Sequence, residues 1–186
     1  MKIHILSATD RPGSNAAKVS RYASGIISKH AETAIFSLKD YPLQDVAGGK
    51  YGKEIASVDA FNSSFLEADG YLFVIPEYNG GFPGVLKVFY DYLPFPESFH
   101  HTPVSLIGEA AGVFGALRAV EQFEQLLKYR KAYIFPERMF IQGVNQNFDE
   151  TNGLKNEKMQ ELLCNQLSQF PEFVRAITGE KALNSI

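Results

Sequence analysis

Gly70-Tyr71-Leu72-Phe73-Val74-Ile75-Pro76, continued by Glu77-Tyr78-Asn79-Gly80-Gly81-Phe82-Pro83-Gly84-Val85-Leu86-Lys87, holds the pattern from which the architecture can be read. An unbroken apolar run between a glycine and a proline reads as a strand covered on both faces, because a half-exposed strand would alternate apolar with polar residues. Pro83 has no N–H to lose in the first turn of a helix. Val85, Leu86, Phe89, Tyr90 and Leu93 follow at helical spacing until Pro94 and Pro96 end the pattern. A buried strand, a glycine-rich turn and an amphipathic helix together make half of a parallel crossover unit.

The same alternation recurs on either side. Lys2 to Leu6 is the first strand, and Asn15 to Ser28 is a helix with Ala16, Val19, Tyr22, Ala23, Ile26 and Ile27 on one stripe. Ala34 to Leu38 is the second strand. A weaker helical pattern from Tyr51 to Ala68 ends at the turn Ala68-Asp69-Gly70. Val104 to Ile107, closed by Gly108, is a fourth strand. Val113 to Tyr129 is a helix with Leu117, Val120, Phe123, Leu126 and Leu127 inward. Ala132 to Phe135 begins a fifth strand that resumes at Met139 to Ile141, Gly143 to Asn156 reads as a surface connection, and Glu157 to Ile177 is a last helix. Five strands with intervening helices predict one α/β domain over residues 1–186, a doubly wound parallel sheet with helices on both faces. Ligands of such sheets sit at the carboxyl ends of the strands, where strand order reverses.

Composition excludes several other classes. With 45% hydrophobic and 21% charged residues the chain has the mix of an ordinary globular protein rather than a disordered one. A net charge of -3 without a basic field argues against nucleic acid as a partner. The lone Cys164, among Leu162, Leu163 and Leu167, closes no intrachain disulfide and reads as a thiol buried on a helix face. The opening Lys2-Ile3-His4-Ile5-Leu6 is too short for a signal peptide, and no run spans a bilayer, so cytoplasmic localisation and no membrane partner are expected.

Chemistry is expected at two strand ends. After the first, Ser7-Ala8-Thr9-Asp10-Arg11-Pro12-Gly13-Ser14-Asn15 sets hydroxyls and a guanidinium at a helix N-terminus, where free N–H groups and a partial positive charge favour an anion. Ser14 or Asn15 could simply cap the helix, but capping would not call for Thr9 and Arg11 as well. The loop lacks the glycine patterns that cradle a pyrophosphate or triphosphate, so a mononucleotide phosphate suits it better. After the third strand, Pro76, Glu77, Tyr78, Asn79 and Gly80 offer backbone N–H groups and a ring to a flat heterocycle. Here too Asn79-Gly80 could serve the turn alone. His100 and His101 find no third ligand at suitable spacing and read as exposed loop residues, so no metal site is expected.

Pro76-Glu77-Tyr78-Asn79-Gly80 followed by Pro83-Gly84-Val85-Leu86-Lys87 resembles the signature loop of the NADPH-dependent FMN reductase family, which includes quinone, azo-dye and chromate reductases. Thr9, Arg11 and Ser14 resemble its phosphate loop, and Asp40-Tyr41-Pro42-Leu43 resembles the segment after its second strand. Gly108-Glu109-Ala110-Ala111-Gly112, with Gly115-Ala116-Leu117-Arg118, is similar to its third flavin loop, although Glu109 and Ala110 replace small polar residues or glycine. Gly112 and Gly115 could equally serve close helix packing. The family commonly spaces Ser and Asn by one residue, whereas Asn15 follows Ser14 directly, which leaves the role of Asn15 open.

The resemblance implies a flavodoxin-like three-layer sandwich with strand order 2-1-3-4-5. It implies FMN with its phosphate on Thr9, Arg11, Ser14 and Asn15, its ring against Pro76, Glu77, Tyr78, Asn79 and Gly80, and Gly108, Ala111 and Gly112 beneath the other side. It further implies hydride transfer from NADPH or NADH to flavin and on to a small-molecule acceptor (a quinone, azo compound, flavin or similar) by ping-pong kinetics, with no catalytic acid or base. Amides of Asn79 and Gly80 aimed at the ring's N1 and O2 would raise its two-electron potential. A homodimer is implied, with a tetramer left open, and Phe89, Tyr90, Tyr92 and Leu93 would suit its contact unless one subunit buries them. The rivals are a non-enzymatic flavodoxin-like electron carrier or redox sensor, usually far more acidic, and a phospho-receiver, for which Asp10 and Glu77 stand in the wrong company.

Overall fold

In the computed structural model, which describes residues 1–183 with side chains through Gly179, every residue of the central strand is buried. The strands are β1 Lys2–Ser7, β2 Glu32–Ser37, β3 Gly70–Pro76, β4 Pro103–Glu109, β5 Tyr133–Ile134 and β6 Met139–Ile141, and all pair in parallel. Their order is β2-β1-β3-β4-β5, with β6 also beside β4. This is the flavodoxin-like order expected from the sequence. β5 pairs with Pro103 and Val104 and β6 with Ile107 to Glu109, so they are two pieces of one edge strand. Pro136 lies in the gap, where a residue without an N–H cannot extend a ladder.

The two-residue period of β3 sorts its side chains between two apolar layers. Tyr71, Phe73 and Ile75 pack with Phe65, Leu86, Phe89, Val120 and Phe123, beneath α3 (Ala56–Phe65), α4 (Gly84–Asp91) and α5 (Leu117–Tyr129). Leu72 and Val74 pack with Val19, Ala23, Leu163, Leu167 and Phe170, beneath α1 (Asn15–Ile27) and α7 (Glu157–Leu183). Two short helices, α2 (Leu43–Val46) and α6 (Val144–Asn147), complete the helical set.

Five expectations need correction. The pattern over Tyr51 to Ala68 forms a helix only from Ala56 to Phe65, and the residues before it are turns with Gly52 at φ 76°. The helix expected from Val113 starts at Leu117, because Gly115 and Ala116 take left-handed φ and interrupt the first turn. Leu117 is consequently exposed rather than inward. Gly143 to Asn156 holds α6 and a small antiparallel ribbon of β7 (Phe148–Asp149) with β8 (Gly153–Leu154), not a bare connection. The last helix passes Ile177 and runs to Leu183. Cys164 is only partly buried, and Gln160 Nε2 donates to its Sγ at 3.0 Å.

The aromatic face proposed for a dimer contact belongs to the subunit's own core. Phe89, Tyr90 and Leu93 are buried, and the Tyr92 hydroxyl donates to the Val46 carbonyl at 3.4 Å. Among the described residues no helix is long and apolar enough to cross a membrane.

Candidate active site

At the carboxyl end of the sheet the turns leaving β1, β3 and β4 enclose a cavity of about 480 Å³. Arg11, Ser14, Asn15 and Lys18 form one wall, Pro76, Glu77 and Tyr78 a second, and Glu109, Ala110 and Ala111 a third, with Asn145 of α6 at the edge. The cavity follows from the parallel sheet, since β1, β3 and β4 are neighbours whose ends all point the same way.

The first wall is the anion loop. Ser14 caps α1, its hydroxyl accepting from Ala17 N at 3.2 Å, and Gly13 at φ 65° has open space where a Cβ would be. Arg11 and Lys18 bring two cations to the helix N-terminus, where the backbone already favours negative charge. Thr9 does not line the cavity; it lies buried beneath, its hydroxyl hydrogen-bonded to the Tyr78 hydroxyl at 2.7 Å. Asn15 Nδ2 donates to Asn145 Oδ1 at 2.7 Å and so ties the loop to α6.

The second wall is a tight turn. Tyr78 N donates to Gly81 O at 2.8 Å and Gly81 N to Tyr78 O at 3.1 Å, with Asn79 at φ 52° and Gly80 at φ 79°. Positive φ at both central residues is the hairpin geometry that Asn-Gly favours. The turn projects Asn79 into solvent and presents Tyr78 to the cavity, with the Arg11 guanidinium 3.9 Å from its ring centroid. Burial pushes the Tyr78 hydroxyl above its usual range, so it stays neutral. Arg118, on α5, donates to Glu77 Oε1 at 2.6 Å from Nη2 and 3.1 Å from Nε, while Gln122 Nε2 reaches Gly80 O at 3.4 Å. Glu77 Oε2 is buried and, among the described residues, has no partner. A buried carboxylate oxygen left in that state is an acceptor whose hydrogen-bonding demand the described residues do not meet.

The third wall differs from expectation in detail. Ala111 lines the cavity, but Gly108 is buried within β4, where a Cβ would come within 2.6 Å of the Gly115 carbonyl oxygen. Its glycine serves close packing. Gly112 is exposed outside the lining, and its carbonyl accepts from Gly143 N at 3.2 Å. Glu109 takes the place beside the cavity: only 5% of it is exposed, and burial pushes its carboxyl up to about 7.

Residues 1–146 match the family of NADPH-dependent FMN reductases. The chain belongs to that family. As a member it is an FMN-dependent NAD(P)H oxidoreductase. The reductase is 29% identical over 183 residues to an NAD(P)H-dependent FMN reductase of Pseudomonas aeruginosa, covering 96% of this chain and 98% of that protein. It is 29% identical over 182 residues to a quinone reductase of Escherichia coli, with 95% and 97% covered. In fold, the reductase matches a flavoenzyme NAD(P)H:(acceptor) oxidoreductase of Paracoccus denitrificans with a TM-score of 0.79 at 20% identity, covering 94% of this chain and 97% of that one.

Lys18, Asn145 and the pairing of Arg118 with Glu77 escaped the sequence reading of the reductase. Lys18 carried a signal, standing four residues after the capping Ser14 and hence on the face of the first turn. Asn145 carried none, because only the tertiary fold brings α6 to α1. Among the described residues no His, Cys, Asp and Glu cluster could hold a metal, and His100 and His101 are exposed rings stacked at 4.0 Å.

Proposed function

We propose that FMN binds in the carboxyl-end cavity, and that NADPH or NADH and then a quinone, azo compound, flavin or similar acceptor use the same slot in turn, giving ping-pong kinetics. The observation that carries this is the donor set. Two cations and a helix N-terminus line the same cavity as Glu77, whose second carboxylate oxygen is buried and, among the described residues, without a partner, which suits a ligand anionic at one end and bearing an N–H at the other. The phosphate and the pyrimidine edge of isoalloxazine meet those two demands.

FMN, once bound, supplies the two-electron carrier between nicotinamide and acceptor. The chain's own residues place it. Arg11, Ser14, Asn15 and Lys18 hold the phosphate, with Thr9 fixing Tyr78 from below. Glu77, braced by Arg118, lines the ring end with Pro76 and Tyr78, and Asn79 and Gly80 make the turn that carries Tyr78 rather than the wall itself. Ala111 borders the opposite side. Gly108 and Gly112 support that loop, the first by packing within β4 and the second through its carbonyl. No side chain is assigned proton transfer.

The whole chain acts as one domain, as a homodimer in the cytoplasm. Val113 and Phe114 lead exposed into α5 next to the cavity's third wall, a surface that a second copy could cover. Purified protein should show flavin absorption bands in the near ultraviolet and blue and should oxidise NADPH or NADH when a quinone is added. Flavin-loaded protein without turnover would overturn the reading. A colourless protein that takes up no FMN would overturn the site.

A further inference from the structure

Glu109 is out of place in a cavity built for an anion. It ends β4 and is almost wholly buried, and its carboxyl lies at the first turn of α1, where the Ala16 backbone N–H donates toward it. The groups around it come from three elements. The β1 turn and α1 contribute Arg11, Lys18 and the exposed Asp10, and the β3 turn contributes Glu77 and Tyr78. Glu77 is already neutralised by Arg118 of α5, and Tyr78 is uncharged. Arg11 and Lys18 are thus the two formal positive charges left for the cavity, and with an ionised Glu109 beside them they fall one formal charge short of a phosphomonoester dianion.

Resting on the FMN reading of this cavity, we propose that Glu109 must be protonated for the phosphate to bind, so that the protein takes up one proton from solvent with its cofactor and releases the cofactor as pH rises. The proton goes to the Glu109 carboxyl. From there it can be donated to a phosphate oxygen, while an ionised Glu109 would compete with the phosphate for the amides of α1 and repel it. Burial, which already holds the carboxyl up to about 7, makes this exchange fall in an accessible range.

The test is FMN affinity, followed by quenching of flavin fluorescence from about pH 6 to about pH 9 at constant ionic strength, for wild type and Glu109→Gln, with riboflavin as the probe lacking phosphate. Above about pH 7, wild-type Kd for FMN should climb toward about tenfold per pH unit, since one linked proton gives that slope. Glu109→Gln should stay flat there, because the phosphate itself is fully ionised above its second pKa of about 6. Riboflavin binding to wild type should also be flat. Calorimetry in buffers of different ionisation enthalpy needs no variant, and at about pH 8 it should find close to one proton taken up per FMN.

Parallel slopes for wild type and Glu109→Gln, an equal slope for riboflavin, or no proton uptake would each overturn the proposal while leaving the FMN site standing. Failure of FMN to bind at any pH would overturn both.

Discussion

The two ends of the sheet each carry a cavity, and the proposed site is the smaller of the two. At the amino end, Phe95, Pro96, Glu97, His100, Tyr129, Arg130 and Lys131 enclose about 650 Å³, against about 480 Å³ at the carboxyl end. The polar groups differ in what they already do. Arg130 is buried with Nη1 donating to Pro94 O at 2.8 Å and Nη2 to Tyr90 O at 3.0 Å, its Cζ 4.3 Å from the Tyr90 ring centroid. Its guanidinium is committed to holding the end of α4 against α5. At the carboxyl end, among the described residues, Arg11 caps no carbonyl in that way and Glu77 keeps a buried oxygen without a partner, and Glu109 is buried against its ionic preference. Polar groups held ready in a smaller space mark a binding site better than volume does.

Two arginines put this contrast to the test. Arg130→Ala removes the charged donor from two carbonyls, which keep Leu93 N on Tyr90 O and Ser98 N and Oγ on Pro94 O, and removes a ring contact, so it should lower unfolding free energy by about 3 kcal/mol, measured by urea titration, with FMN affinity unchanged in the folded fraction. Arg11→Ala should do the reverse. It loses a charge-assisted contact to phosphate, and FMN affinity should fall about tenfold to a hundredfold with stability within about 0.5 kcal/mol of wild type. If Arg130→Ala weakened FMN as much as Arg11→Ala, the assignment of the two ends would be wrong.

Glu109 adds a pH signature that the amino end lacks. Its folded-state pKa is raised from 4.5 to about 7, so the native protein binds more protons than the unfolded chain between those values. The stability this contributes is fully present below 4.5 and is lost as pH rises through about 7. At about 1.4 kcal/mol per unit, Glu109→Gln should exceed wild type in stability by up to about 3 kcal/mol at pH 8, a gap closing toward pH 5. Thermal unfolding of the FMN-free proteins at the two pH values measures it, and equal gaps at both would deny the burial effect.

How far the sequence could be read follows the range of the interactions involved. The run Tyr71 to Ile75 declared a central strand because its pattern is local, and Asn79-Gly80 declared a tight turn because positive φ is a property of single residues. The late start of α5 was hidden because Ala116 takes the left-handed conformation at φ 69° without being glycine, a strain supplied by its buried surroundings. The glycines of the third loop were ambiguous for the same reason. Gly108 is required by the approach of the Gly115 carbonyl and Gly112 is not, a distinction that exists only across the fold. That Arg11, Ser14, Glu77 and Tyr78 would meet at one cavity could be read from their position at strand ends, whereas Asn145 reaches that cavity from α6 through a contact spanning 130 residues.

The smallest effect tests the most ambiguous residue. Ser14 both caps α1 and lines the cavity, and a capping hydroxyl needs no ligand to explain it. Ser14→Ala should cost about 1 kcal/mol of stability through the lost Ala17 N–H acceptor, whatever the cavity binds. Ser14→Asp separates the two roles, because aspartate caps a helix as well as serine does but sets a carboxylate where the phosphate is placed. Stability should then match wild type while FMN affinity falls further than in Ser14→Ala, with riboflavin affinity little changed in either. Wild-type FMN affinity in Ser14→Asp would mean that the phosphate rests elsewhere, and would leave α1 as a capped helix with two cations beside it and no ligand to explain them.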